Sequence, residues 1–337
     1  MRTPNEFALD HIPGAVNFPV LSNDERVQVG AMYKQVSEFA AKKLGAALIA
    51  RNIADHLQSH FFDRPRNWHP LVYCWRGGQR SGAMQHILRQ VGWCAEKLAG
   101  GYKTYRRSVN DDLAVLPMHY RFQVICGLTG SGKSEVLSAL AELGAQVLDL
   151  ERLASHRGSV LGDLPAAPQP SQKMFDSLIW RQLQHYDPSR PVFVEAESQK
   201  IGVLRVPPAL IAAMWQPGEC IHLFTNDTLR ITLLKQQYAH FLAEPNELLV
   251  KLDHLTPLYG HHHIYAWKQL ALDGAWDQLV GELLHQHYDR HYMQSMQRHY
   301  PDYAQQPSVV LGGLDAASFS AAAQHMLALA GRVVVTT

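Results

Sequence analysis

Two short segments of this chain gather residues able to do chemistry. Residues 74–81 read Cys-Trp-Arg-Gly-Gly-Gln-Arg-Ser, and residues 127–134 read Gly-Leu-Thr-Gly-Ser-Gly-Lys-Ser. In the first, glycine-rich backbone can turn several N–H groups toward one sulfur. Arg76, Arg80 and the start of a following helix add positive potential, and together these favour the thiolate of Cys74. The plain alternative is a small buried hydrophobe at a strand end, but Gly-Gly between two arginines points to function. The second segment matches G-x-x-x-x-G-K-[ST] in full. Gly127, Gly130 and Gly132, with Ser131, allow the backbone to wrap a phosphate, Lys133 brings a point charge, and Ser134 can ligate Mg²⁺. A diphosphate or triphosphate is the expected ligand.

Other candidates are less sharply defined. Val192-Phe193-Val194-Glu195 reads as a strand ending in a carboxylate, which makes Glu195 the first choice for Mg²⁺ or its waters. Asp149, Glu151 and Glu197 are nearby acids, and Glu151 and Glu197 read equally well as solvated loop charges. Arg157, in His156-Arg157-Gly158-Ser159, is either a phosphate ligand or an ordinary surface turn. Lys97, Lys103, Arg106 and Arg107, interleaved with Tyr102 and Tyr105, suit phosphate contacts and stacking on an extruded base, or else form a solvated helix face. His261-His262-His263 cannot share one helical face, so a loop is expected there and no structural metal site. His285, His287 and His291 read as surface histidines of a helix.

The elements that must position these residues follow from the apolar pattern. Leu71-Val72-Tyr73 is a short buried strand, and Met84, Ile87, Leu88 and Val91 share one helical face. Strand-like runs Gln123–Cys126, Gln146–Leu150, Pro191–Val194 and Cys220–Phe224 alternate with helical stretches, which predicts a parallel sheet covered on both faces. Asn110-Asp111-Asp112 and Pro117 mark a domain boundary. Leu164–Pro170 reads as an exposed loop, Glu244–Tyr303 as helical, and Ala316–Ala330 as a surface helix. The length of 337 residues suits two domains. With 47% hydrophobic and 18% charged residues, disordered and collagen-like classes are excluded. No apolar run of spanning length and no secretory signal stand out, so a cytoplasmic protein with no membrane contact is expected. Four cysteines without a C-x-x-C pair exclude a zinc ribbon and a disulfide framework. The net charge of +1 divides into +5 over residues 1–118 and −4 over residues 119–337, so a polyanion would be held by local patches only.

The Cys74 loop resembles the active-site loop of rhodanese-like sulfurtransferases, in which the cysteine carries a chalcogen. Arg2–Phe7 with His11–Asn17 is similar to the amino-terminal signature of those domains, and Gly100–Lys103 to the carboxy-terminal one. Such domains start with a strand before the arginine, so that first strand is expected to be missing here. The Cys74-to-Arg80 spacing is also that of cysteine phosphatases. A rhodanese loop followed by a P-loop is a rare order, and the whole chain resembles the tRNA 2-selenouridine synthase family. Further matching segments are Leu21–Arg26, Tyr33–Gln35, Leu150-Glu151, Glu195–Ser198 and Ile201-Gly202. The family's Pro after Asp289 is here Arg290, and the likeness fades beyond Tyr300.

That resemblance implies an α/β chain: a rhodanese-like domain over 1–116, a P-loop NTPase-like parallel-sheet domain with a helical extension over 119–300, and a divergent tail over 301–337. It implies a transferase that replaces sulfur by selenium in wobble 2-thiouridine of tRNA, through an S-geranylated intermediate. The substrates would be selenophosphate and geranyl diphosphate, with Mg²⁺ a further candidate. The partners would be the tRNA and the enzyme supplying selenophosphate. Cys74 would carry selenium, and the P-loop would hold a prenyl diphosphate. The rivals are a P-loop kinase or ATPase with a regulatory rhodanese or cysteine-phosphatase-like module, and a non-catalytic tRNA-binding relic.

Overall fold

The computed structural model describes residues 1–165, 167–215, 220–300 and 305–332. The chain divides into two compact units, one of Met1–Leu113 with Pro170–Arg181, the other of Ala114–Gln169 with the residues from Gln182 onward. Asn110-Asp111-Asp112 closes the last long helix of the first stretch, Gly101–Leu113. Membership of Pro170–Arg181 in the first unit has no counterpart in the sequence pattern.

In the first unit, β1 (Leu71–Val72) pairs in parallel with β2 (Glu96–Lys97). The helix Gln79–Val91 buries Met84 and Leu88 on the face its 3.6-residue spacing marks, against Val20, Ile53 and Phe61. A capping box starts the helix Pro4–Leu9, with the Thr3 hydroxyl accepting from Glu6 N and Glu6 accepting from Thr3 N. Just outside that helix, the buried Arg2 guanidinium lies 3.8 Å from the centre of the Tyr102 ring. The buried Asp10 accepts from Tyr102 Oη at 2.6 Å and Ser177 Oγ at 3.0 Å.

The second unit contains β3 (Phe122–Cys126), β4 (Gln146–Leu148), β5 (Val192–Glu195), the antiparallel pair β6 (Lys200–Ile201) and β7 (Leu204–Arg205), β8 (Cys220–Phe224) and β9 (Ser308–Val310). Among the described residues, five of these form a parallel sheet in the order β4-β5-β3-β8-β9. Val124 of the central strand stands opposite Val194 on one side and Cys220 on the other. Every residue of β3 and β5 is buried, as expected of apolar strands covered on both faces.

The end of the chain differs from expectation. Residues beyond 300 supply the edge strand β9, and the helix Ala316–Arg332 packs against the helix Lys133–Glu142 instead of lying on the surface. Its small side chains Ala322, Ala323 and Ala330 permit close approach and, with Met326, are buried against Val136 and Leu140. Met326→Ala should therefore destabilise the unit by about 2–5 kcal/mol. The denaturant midpoint of the variant measures this, and a midpoint unchanged from wild type would place the helix outside the core.

The remaining helices carry their own core around Leu252, Trp267 and Leu279. His261, His262 and His263 lie within the helix Thr256–Leu272 and not in a loop, because the backbone break falls one residue earlier, at Gly260. Among the described residues, no helix is long and apolar enough to cross a membrane.

Candidate functional site

Cys74 leaves β1 buried and enters a loop that leads into the helix Gln79–Val91. The Gly100-Gly101 pair explains itself here. Gly101 has φ of 59°, and a Cβ on it would sit 2.4 Å from both the Cys74 carbonyl oxygen and Gly77 N. Only glycine lets the helix Gly101–Leu113 come this close and donate from Tyr102 N to Cys74 O and from Lys103 N to Trp75 O, each at 2.9 Å. That leaves the N–H groups of the loop for the sulfur.

Burial pushes the Cys74 thiol up, but hydrogen bonds from the Ser81 hydroxyl and from the backbone N–H groups of Ser81, Arg76 and Gly78 outweigh it and hold the thiol below its ordinary value. The Ser81 Oγ stands 3.2 Å from the sulfur. Ser81→Ala should thus move the thiolate ultraviolet titration to higher pH, whereas an unmoved curve would assign the whole effect to the backbone. Arg76 is exposed. Arg80 is bound at 2.7 Å by Glu6, so it faces a carboxylate, which is the wrong arrangement for gripping a phosphate dianion.

Arg106 is likewise engaged, paired with Asp176. Tyr102 and Tyr105 are buried, so neither presents a face on which a base could stack. Lys97, Lys103 and Arg107 remain exposed.

In the second unit the P-loop joins β3 to the helix Lys133–Glu142, whose first cap is Gly132 at φ 88°. A side chain there would need that strained backbone and would meet Phe319 at 3.0 Å. Lys133 Nζ donates to Gly127 O at 2.8 Å, and Tyr292 Oη accepts from Gly127 N at 2.7 Å. Arg230, buried, donates from Nε to Thr129 O at 2.9 Å and pairs with Asp227 and Asp289, tying the loop to the helix Asp289–His299.

Glu195 ends β5 as expected, and Glu151 and Glu197 are not solvated loop charges. Carboxylate oxygens of the three lie within 4.8 Å of one another. Ser134 Oγ donates to Glu151 at 3.1 Å, and Glu151 N donates to Glu195 at 3.2 Å. Burial, then mutual repulsion, pushes Glu195 well up, while burial takes Glu151 to about 7 and Glu197 to about 8. The Oε2 of Glu195 is buried with no hydrogen-bond partner. An all-oxygen set of this kind fits a hard divalent cation.

Two cavities meet at the loop. One, of about 630 Å³, is lined by the P-loop, the three glutamates, Arg157 and Tyr292. Buried in or beside it without hydrogen-bond partners are Ser131 Oγ and Arg157 Nη1, two donors suited to an anion. The Arg157 guanidinium lies 5.1 Å from the centre of the Tyr238 ring. The other cavity, of about 60 Å³, is apolar, with Leu161, Phe241, Leu279 and Leu283 in its wall. Thr129, Ser159, Leu234, Tyr238 and Tyr288 line both. Also in the wall of the larger cavity are His287, which is buried and not a surface residue, and His291. Apart from the spacing of those two histidines by four residues, nothing in the sequence marks this wall.

Fold and site together define a rhodanese-like unit joined to a P-loop unit. Comparison with known proteins agrees: residues 1–108 match the rhodanese-like domain, and residues 120–251 match the tRNA 2-selenouridine synthase AAA domain. The tRNA 2-selenouridine synthase of Nitrosomonas europaea is 37% identical over 212 residues, which are 61% of this chain and 54% of that protein. Those of Aeromonas salmonicida and Alcanivorax borkumensis are 33% and 32% identical, each over 77% of this chain and over 69% and 75% of their own length. The match thus spans little more than half of some relatives and three quarters of others. The chain belongs to the tRNA 2-selenouridine synthase family.

Proposed function

We propose that the protein exchanges sulfur for selenium in wobble 2-thiouridine of tRNA by first alkylating the sulfur with geranyl diphosphate and then, at a site that includes the thiolate of Cys74, letting the selenium of selenophosphate displace geranylthiol from C2, after which water releases phosphate from the selenium. One observation carries the first half: an anion cradle with two unsatisfied donors, Ser131 and Arg157, opens directly beside an apolar cavity. A prenyl diphosphate has those two ends. The apolar cavity, at about 60 Å³, takes the tip of the chain, and the rest lies in the larger space. Alkylation turns a poor leaving sulfur into a good one, and the loop amides with Lys133 receive the departing diphosphate. Ser134 and Glu195, with Glu151 and Glu197 beside them, would hold Mg²⁺, which would neutralise charge on that diphosphate.

The lowered thiol of Cys74 suits a nucleophilic thiolate at the selenation step. Lys103 and Arg107, exposed on one helix, are the remaining tRNA phosphate candidates there. Reversing both charges should weaken tRNA binding and make the salt slope shallower by about two. An unchanged affinity would move the RNA surface elsewhere. The reading as a whole is tested by mass spectrometry of nucleosides from thiolated tRNA incubated with protein, geranyl diphosphate and selenophosphate. 2-Selenouridine is the expected product. Turnover of ATP with no change in the tRNA would favour a kinase or ATPase instead.

A further inference from the structure

S-alkylation of a thiouridine leaves a proton to be placed. The ring carries an N3–H beside the thiocarbonyl. As the sulfur forms its bond to C1 of the prenyl group and the C1–O bond to diphosphate breaks, the neutral product requires that N3 lose this proton. Lys133 and Arg157 are cationic, and the three glutamates gather at the Ser134 end of the loop, against the diphosphate. The acceptor has to stand where phosphate cradle and apolar cavity meet.

One stretch of chain runs along that junction. Leu283, Leu284 and Tyr288 line the apolar cavity, His287 and His291 line the larger one, and Tyr292 holds Gly127 N of the P-loop and lies under Lys133, 5.6 Å from the centre of its ring. Leu284–Tyr288 forms a π-helical turn, a local widening that recurs at functional sites.

The hydrogen bonds around the two imidazoles fix their tautomers. Tyr259 Oη is 3.1 Å from the Gln286 carbonyl, which can only accept, and 3.0 Å from His287 Nδ1. With its single proton given to the carbonyl, Tyr259 must accept from Nδ1–H, so the basic nitrogen of His287 is Nε2. His291 Nδ1 donates to the His287 carbonyl at 2.6 Å and leaves Nε2 basic in the same way. Burial, with the neighbouring His291, lowers His287 from its ordinary value, which keeps it neutral near pH 7.

Resting on the alkylation reading above, we propose that His287 is the general base of the prenyl-transfer step, its Nε2 taking the N3 proton of the thiouridine as sulfur displaces diphosphate at C1. The imidazolium so formed returns its proton to solvent.

The test is single-turnover geranyl transfer to thiolated tRNA by His287→Asn, whose amide can still donate to Tyr259. Its rate should fall about a hundredfold, with affinities for geranyl diphosphate and tRNA within about twofold of wild type. The loss should shrink at a pH high enough to ionise N3–H of the substrate, where no base is needed, and added imidazole should restore part of the rate. A structural role would show neither recovery. Tyr259→Phe, which keeps the imidazole but frees its tautomer, should lose about tenfold and serves if the Asn variant does not fold. Undiminished transfer by His287→Asn, or a loss that neither alkaline pH nor imidazole relieves, would overturn the role of His287 while leaving the alkylation itself standing. Absence of geranyl transfer in the wild-type protein would overturn both.

Discussion

Lys133→Ala should slow geranyl transfer by roughly 10²–10³-fold and weaken binding of the diphosphate substrate. Lys133 is the mobile cation of the cradle: its Nζ rests on the Gly127 and Leu128 carbonyls at 2.8 and 3.4 Å, from where it can swing to a phosphate oxygen. The bond that breaks in the transfer puts a growing charge on the diphosphate, so the lysine contributes more in the transition state than to ground-state binding. The loss should therefore be larger in rate than in affinity. Circular dichroism should be unchanged, since what is lost is contact with two loop carbonyls and the Tyr292 ring. Transfer at the wild-type rate would remove the P-loop from the chemistry.

Cys74→Ala should separate the two halves of the reaction, yielding tRNA that carries geranylated thiouridine and no selenouridine. On the proposed reading, alkylation requires the electrophilic carbon of geranyl diphosphate, a cradle for its diphosphate and a proton acceptor, and no protein thiol. Exchange of the geranylated sulfur for selenium at C2, by contrast, calls for nucleophilic chemistry, and Cys74 has the hydrogen-bond environment of a stabilised thiolate. Full selenation by the variant would exclude Cys74 from the selenation step. Loss of both products would mean that alkylation itself depends on the thiol. Removing the sulfur leaves a void the size of one atom, so the fold of the first unit should survive.

The parts of this arrangement that depend on local backbone chemistry were legible in the sequence. Glycine at 130 and 132 with Lys133, and Cys74 ahead of Gly77-Gly78, specify loops whose geometry follows from which residues can adopt it. What could not be read were features that long-range packing decides. Tyr102 and Tyr105 alternate with basic residues as a stacking surface would, yet Tyr102 is turned inward onto Arg2 and Asp10, a hundred or so residues earlier in the chain. Arg80 reads as a cation of the Cys74 loop and Arg106 as a phosphate contact, but each is paired with a carboxylate remote in sequence, Glu6 and Asp176. β9 is three residues long, too short to show a strand pattern, so only its pairing with β8 reveals it. His287 shows the same limit from the other side. A histidine in a polar, aromatic-rich helix reads as solvated until the neighbouring helix brings Tyr259 to its Nδ1.

The P-loop's ligand can be identified most directly by calorimetric titration of the protein with geranyl diphosphate, inorganic pyrophosphate and ATP under one set of conditions. Burying part of the isoprenoid in the cavity lined by Leu161, Phe241, Leu279 and Leu283 contributes ~0.8 kcal/mol per methylene equivalent. Geranyl diphosphate should accordingly bind at least about tenfold more tightly than pyrophosphate, and Lys133→Ala should weaken both. ATP binding tighter than geranyl diphosphate, with the latter no better than pyrophosphate, would contradict a prenyl diphosphate site.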